Sequence, residues 1–343
     1  MSEFLITGGS GYFGALLRDR LRAGGHSVRI FDLVDTDERE PAVKFFQGDI
    51  RNASQVLRAC LGTRVVFHCV AQVPLAKDKA LFHSVNVGGM KNLLEAALAA
   101  RVQKVIYVSS SAVFGAPKSN PVTEQTAPAP AEAYGRAKLE GETLCAQYVN
   151  RGLDLSIIRP RTIMGHGRLG IFQILFEWIR TGYNVPVLGG GENQYQFVHA
   201  DDLAEACILA ARRAGPATFN CGTDRFGSMR AVLEQLCRHA GTTSKVRSVP
   251  LAPAVAFMNL TASIGLSPLG PYHALMYGRS MYFDITKAKT ELGWQPRFSN
   301  DEMFRQSYDW YLSNRETILA AHGASHHRSA VKQGILGLIK YFL

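Results

Sequence analysis

The strongest constraint on this chain is the regular alternation, through its first half, of short apolar runs with helix-patterned stretches. Apolar, β-rich runs fall at 4–7, 28–31, 43–47, 65–69, 105–108 and 155–158. Helical patterns lie between them, including 12–23, 87–100 and 133–150. Strands that are apolar throughout have both faces covered, which calls for a parallel sheet with helices on each side. The expected fold class is therefore α/β, a doubly wound parallel sheet in which ligands bind beyond the carboxyl ends of the strands.

After about residue 160 the alternation weakens. At 343 residues the chain has room for the sheet domain and a smaller, mostly C-terminal substrate-binding lobe. The expected division is 1–160 for the sheet domain, with 196–225 returning to it, and 161–195 with 226–315 for the lobe. Residues 316–343 form an amphipathic tail ending AVKQGILGLIKYFL. That tail can dock on its own protein or a second subunit, or lie on a membrane surface; it is too short to cross one.

The balance of 38 Lys+Arg against 28 Asp+Glu gives a formal charge of +10. The basic residues are scattered, without a basic run or an aromatic-interleaved stripe, so no nucleic-acid partner is expected. Cys60, Cys69, Cys145, Cys207, Cys221 and Cys237 contain no C-x-x-C pair, which argues against a zinc ribbon or redox dithiol and for no metal. A reducing, cytoplasmic setting is expected, because the first strand leaves no room for a secretory leader.

The segment Thr7-Gly8-Gly9-Ser10-Gly11-Tyr12-Phe13-Gly14 sits between a strand and a helix. Glycines there let the backbone approach a pyrophosphate, and the helix N-terminus offers N–H groups to it. This is a Rossmann-like arrangement, and Gly8, Gly11, Tyr12, Phe13 and Gly14 are the expected contacts. Asp32, at the end of the next strand, suits ribose hydroxyls and repels a 2′-phosphate, so NAD is favoured over NADP. The following segment, Asp35-Thr36-Asp37-Glu38, adds acid nearby. Asp49, followed by Ile50, either reaches the adenine amino group or caps the helix after it.

Tyr134 and Lys138 stand four residues apart on one helix face. A phenol is a weak base with a pKa of about 10, and a nearby ammonium stabilises its phenolate. Upstream, the strand at 105–108 runs into Ser109-Ser110-Ser111, where a hydroxyl can orient a substrate alcohol toward the tyrosine.

The TGGSGYFG loop, the SSSAVFG strand end, YGRAK, Ile158-Arg159-Pro160, FVHADDL and ELGWQP occur in that order over residues 1 to about 315. Together they resemble the extended short-chain dehydrogenase/reductase family, also called the NAD-dependent epimerase/dehydratase family. The resemblance implies Tyr134 as acid/base, Lys138 as a second contact to the nicotinamide ribose, and Ser110 as the orienting hydroxyl, with Ser111 as the alternative. It further implies Asn86 fixing the loop near the cofactor, Val70 and Ala71 contacting the dinucleotide, Ser109 and Arg159 as further cofactor contacts, and a homodimer paired through long helices. His68 is expected to be a packed core residue.

Sugar 4,6-dehydratases of the family carry Asp-Glu where this chain has Ser111-Ala112, which argues against dehydration. Nucleotide-sugar epimerases hold the diphosphate with an asparagine and an arginine at the positions of Thr162 and Tyr195-Gln196. Arg161, His166 and Arg168 could substitute, and Ser111, Arg161, Thr162 and Tyr195 are the expected substrate contacts. Segments 265–269 and 279–289 look more like the 3β-hydroxysteroid and sterol dehydrogenase branch. The first expectation is hydride transfer at a ring secondary alcohol of a sterol-like or other lipidic substrate. The alternative is a UDP-sugar 4-epimerase with tightly held NAD, and a non-catalytic NAD-binding scaffold ranks third.

Overall fold

The computed structural model describes residues 4–36, 39–72, 79–168, 170–263, 276–320 and 336–341. Asp37 and Glu38 of the expected acidic segment, residues 265–269 of the sterol-like stretch and most of the tail lie outside them; Asp35 is described and pairs with Arg39 (2.8 Å). Seven strands form one sheet: β1 (Phe4–Thr7), β2 (Val28–Asp32), β3 (Lys44–Gln47), β4 (Val65–His68), β5 (Lys104–Val108), β6 (Leu155–Pro160) and β7 (Ala217–Cys221). Their order is β7-β6-β5-β4-β1-β2-β3 and every pairing is parallel. The chain therefore winds outward twice from β1, and Thr7 stands level with Phe31 on one side and His68 on the other. The crevice where the order reverses opens just beyond Thr7, the general ligand position in such sheets.

The side chains of each strand alternate between two buried faces. Phe4, Ile6, Val65, Phe67, Ile106 and Val108 meet α1 (Tyr12–Ala23) and the helix Ala200–Arg212 through Leu17, Leu21, Leu203 and Cys207. Leu5, Val66, Val105 and Tyr107 meet the helices Ala53–Cys60, Gly89–Ala99 and Ala133–Val149 through Val56, Leu93, Leu94 and Cys145. This two-sided burial is why the strands read as apolar runs. A third cluster lies apart, built by the helices Phe172–Arg180, Met229–Ala240 and Asn300–Ala320 around Phe176, Trp178, Leu233, Phe304 and Tyr311.

Residues 281–294 were grouped by sequence with the lobe, yet Met281, Phe283, Ile285, Ala288 and Trp294 belong to the sheet-side core. The fully buried Trp294 donates its indole N–H to the Asp202 carbonyl (2.8 Å). The Asp202 carboxylate accepts from the backbone N–H groups of Arg297 and Phe298 and from the Arg297 side chain. The two late motifs are thus halves of one contact.

Within the tail, a short helix Leu336–Ile339 is described, and Ile339 packs on the third cluster. Lys340 stands 4.5 Å over the Tyr183 ring, and Tyr341 meets Tyr183 edge-on at 5.2 Å. These residues therefore dock on their own chain. Among the described residues, no helix is long and apolar enough to cross a membrane.

Candidate active site

The loop after β1 folds back so tightly that its glycines are sterically required. A Cβ on Gly14 would stand 2.1 Å from the Gly8 carbonyl oxygen, and one on Gly8 would stand 2.9 Å from Val70 N. Gly11 begins α1 with no side-chain cap, so the helix N-terminus is left to an anionic ligand. The Ser10 hydroxyl is buried without a partner among the described residues. Asp32 accepts from Ser10 N (3.0 Å) and Leu33 N (2.8 Å), and burial raises its pKa. Tyr12 and Phe13 turn their rings into the sheet-side core. These features fit a dinucleotide, with the diphosphate at the loop and a ribose at Asp32.

Along the same edge, Asn86 clasps the backbone after β4: its Oδ1 accepts from Gln72 N (2.8 Å) and its Nδ2 donates to Gln72 O (3.2 Å). That holds Val70 and Ala71 across from Gly8. Asp49 pairs with Arg51, while Asn52 caps the helix Ala53–Cys60, so Asp49 is not the residue that caps it. Ile50 is buried, and its carbonyl accepts from Asn92 (3.0 Å). His68 is also buried, 2.7 Å from the Thr7 hydroxyl, and its burial beside Lys138 holds its pKa down to about 3. It is a neutral core histidine.

Tyr134 enters from the first turn of the helix Ala133–Val149, which Glu132 caps by accepting from Tyr134 N and Gly135 N (both 2.6 Å). Burial pushes the Tyr134 phenol up to about 12; a hydrogen bond from Ser110 and the charge of Arg168 pull the other way. Ser110 begins the turn Ser111–Phe114, its Oγ accepting from Ala112 N (3.1 Å). Lys138 is buried, donates to the Val108 carbonyl (2.8 Å) and stands 5.9 Å over the Tyr134 ring. Its burial lowers its pKa to about 8. Ser110, Tyr134 and Lys138 thus converge at the carboxyl end of β5, around a phenol that is a proton donor as it stands.

Glu142 escaped the sequence reading, although it lies four residues beyond Lys138 on the same helix face. Its carboxylate takes Arg159 through two bonds (2.6 and 2.9 Å) and the Ser109 hydroxyl (2.6 Å), all buried. The side chains of Ser109 and Arg159, expected at the cofactor, are committed to this interior network.

The four expected substrate residues form one chain of contacts. Arg161 donates to Ser111 Oγ (2.9 Å), its guanidinium lies 4.7 Å over the Tyr195 ring, and the Tyr195 hydroxyl is 3.0 Å from Thr162 Oγ1. Arg161 is 1 % exposed and two of its nitrogens, Nε and Nη2, are buried without partners among the described residues. His166, His199 and Asp201 bring ligand atoms within 4.8 Å of one another. The Asp201 carboxylate is, however, paired with Arg20 (2.6 Å), and His199 is held by Gln306 (3.0 Å).

The model of the NAD dependent epimerase/dehydratase family matches residues 4–222. An uncharacterized protein of Sinorhizobium fredii, y4nG, is 53 % identical over 340 residues, covering 99 % of this chain and 86 % of that one. UDP-glucose 4-epimerase of Mycolicibacterium smegmatis is 30 % identical over 333 residues, covering 91 % and 99 %. Human sterol-4-alpha-carboxylate 3-dehydrogenase, decarboxylating, is 27 % identical over 322 residues, covering 88 % and 86 %. The fold matches the Thermotoga maritima UDP-glucose 4-epimerase crystallised with UDP-glucose, with a TM-score of 0.77 at 24 % identity, covering 91 % and 99 %. The chain belongs to the NAD-dependent epimerase/dehydratase family, within the extended short-chain dehydrogenases/reductases, and is an NAD-dependent enzyme.

Proposed function

We propose that this enzyme oxidises a ring secondary alcohol, or reduces the matching ketone, on a sterol-like or other lipidic substrate. The observation that carries the reading is the convergence of Ser110, Tyr134 and Lys138 at the sheet edge next to the glycine loop. Bound NAD supplies the hydride acceptor. Ser110 would orient the substrate oxygen and Tyr134, as phenolate, would take its proton, so that the alcohol becomes a ketone once the carbinol hydrogen is accepted as hydride. Lys138 holds the nicotinamide ribose, and its charge adds to that of Arg168 in favouring the phenolate. Gly8, Gly11, Tyr12, Phe13 and Gly14 line the diphosphate, Asp32 the adenosine ribose, and Asp49, Ile50, Val70, Ala71 and Asn86 the rest of the dinucleotide. Residues 161–195 and 226–315, apart from 281–294 in the sheet-side core, act as the substrate lobe.

The likeness to sterol dehydrogenases supports a lipidic scaffold. A second reading, reversible oxidation of a UDP-sugar with epimerisation, is favoured by the near full-length likeness to a UDP-glucose 4-epimerase. Absorbance of reduced nicotinamide, followed with sterol alcohols and UDP-sugars in parallel, separates the two. NADH should accumulate with a sterol alcohol; a new sugar epimer without net NADH would reverse the order. Tyr134→Phe should lose about a hundredfold to ten-thousandfold in turnover and still bind NAD. Near-normal turnover in that variant would take Tyr134 out of the acid/base role, whereas NAD binding by the wild type with no turnover of any alcohol or UDP-sugar would favour a scaffold. A cytoplasmic homodimer completes the proposal, checked by gel filtration; because Ile339, Lys340 and Tyr341 pack on their own chain, vesicle sedimentation should find no binding through them.

A further inference from the structure

Residues 248–278 contain no Lys, Arg, Asp or Glu, in a chain that is 19 % charged overall. The helix Leu251–Ser263 lies within that stretch, and its sequence, LAPAVAFMNLTAS, places apolar side chains on both faces. A helix of that kind is ordinarily enclosed all round. Here one face is covered: Met258 and Thr261 are buried, and Ala254 and Val255 are half-buried. The other face is open. Leu251 and Phe257 are each 41 % exposed and Leu260 is 61 % exposed, with Ala252, Pro253 and Ala256 exposed among them.

The rim of the open face is basic. Arg247 is exposed on the strand Val246–Val249, which leads into the helix. Gly278 brings the chain back to the helix start, where a Cβ on it would stand 2.4 Å from Leu251 Cδ1, and exposed Arg279 follows directly. Asn193 fixes that return by donating to the Tyr277 and Arg279 carbonyls (3.3 and 3.4 Å). The acids beside the strand are engaged elsewhere: Arg230, which donates to Ser248 Oγ (2.6 Å), pairs with both Glu192 and Glu234. Arg247 and Arg279 have no carboxylate partner among the described residues.

We propose that the open face of the helix Leu251–Ser263 docks on an anionic lipid surface, with Phe257 and Leu260 at the acyl boundary and Arg247 and Arg279 among the headgroups. An exposed apolar patch edged by cations is complementary to acyl chains beneath negative headgroups. A second copy of the chain, seated there about a two-fold axis, would bring four arginines around one apolar patch, like charge against like. The helix has 13 residues and is about 20 Å long, so it lies along the surface rather than crossing. Docking of this kind is separate from the tail, where residues 339–341 pack on their own chain. It stands whichever alcohol the site oxidises.

The test is sedimentation of the full chain with phosphatidylcholine vesicles and with vesicles of mixed phosphatidylcholine and phosphatidylserine. Wild type is compared with the double variants Phe257→Gln/Leu260→Gln and Arg247→Gln/Arg279→Gln, with thermal unfolding to verify that each folds. Wild type should bind the mixed vesicles more tightly than phosphatidylcholine alone, and raised salt should narrow the difference. Phe257→Gln/Leu260→Gln should weaken binding to the mixed vesicles at least about tenfold. Arg247→Gln/Arg279→Gln should weaken it by about tenfold and leave phosphatidylcholine binding unchanged. The proposal falls if wild type leaves both vesicle types in solution, if it binds the two equally, or if Phe257→Gln/Leu260→Gln binds as tightly as wild type. It falls equally if gel filtration shows a dimer that this variant dissociates while wild type stays off vesicles, since a second copy would then cover the face.

Discussion

Arg159 and Arg161 leave the end of one strand two residues apart, both buried, and enter opposite surroundings. On the Arg159 side, toward the helix that carries Tyr134, the charge meets Glu142 in a two-bond pair that also takes Ser109. On the Arg161 side, toward the lobe, the charge meets two aromatic rings, one serine and a methionine sulfur, and two nitrogens stay unpartnered. Among the described residues one Arg159 nitrogen, Nη1, is unpartnered as well, so the contrast is one of charge: the Arg159 side is complete, neutralised by a carboxylate, and the Arg161 side is not. On the complete side, Glu142 lies one turn beyond Lys138 on the helix that carries Tyr134.

The sharpest way to break this comparison is to remove the acid from the complete side. Glu142→Gln leaves Arg159 unpaired in the interior and should cost about 3–5 kcal/mol of stability in denaturant unfolding. Arg161→Met, of similar length and apolar, should be neutral or stabilising by up to about 4 kcal/mol, because no carboxylate is orphaned. Equal destabilisation by the two would show that Arg161 has a partner as strong as Glu142. Smaller still is the effect of Asp32→Ala, which should weaken NAD by about tenfold, near 1.4 kcal/mol, and relax discrimination against NADP. An unchanged cofactor preference would take Asp32 out of the ribose site. The smallest effect is on pH. Because the Arg168 charge favours the Tyr134 phenolate, Arg168→Gln should raise the phenol's pKa and move the rise of the oxidation rate to higher pH. A shift of up to about one unit is expected; a shift to lower pH would mean that Arg168 does not act on Tyr134.

The sheet was legible in sequence because strands covered on both faces carry uninterrupted apolar residues, and each of the six expected runs became a strand. The dinucleotide loop was legible for a steric reason: only glycine fits where a Cβ would stand 2.1 Å from a carbonyl oxygen. Ser110, Tyr134 and Lys138 were legible through a family pattern, and they meet in space. What escaped were partnerships between side chains far apart in sequence. Ser109 and Glu142 lie 33 residues apart, and Arg161 and Met281 lie 120 apart. Nothing local in Arg159-Pro160-Arg161 distinguishes the neutralised arginine from the bare one. The likeness to two substrate classes left the substrate open for a related reason, since the fold is common to both.

The contact between Asp202 and Trp294 bears on how the molecule is made. Ninety-two residues separate indole from carbonyl, so the sheet-side core stays incomplete until the ribosome has released most of the chain. Such distant closures slow folding, because loop entropy is lost before the contact returns anything. A nascent chain halted before residue 281 would expose the apolar surface that Met281, Phe283, Ile285, Ala288 and Trp294 cover. The amino-terminal half, for all its resemblance to a self-sufficient nucleotide-binding module, is therefore poorly suited to be excised, grafted or expressed alone.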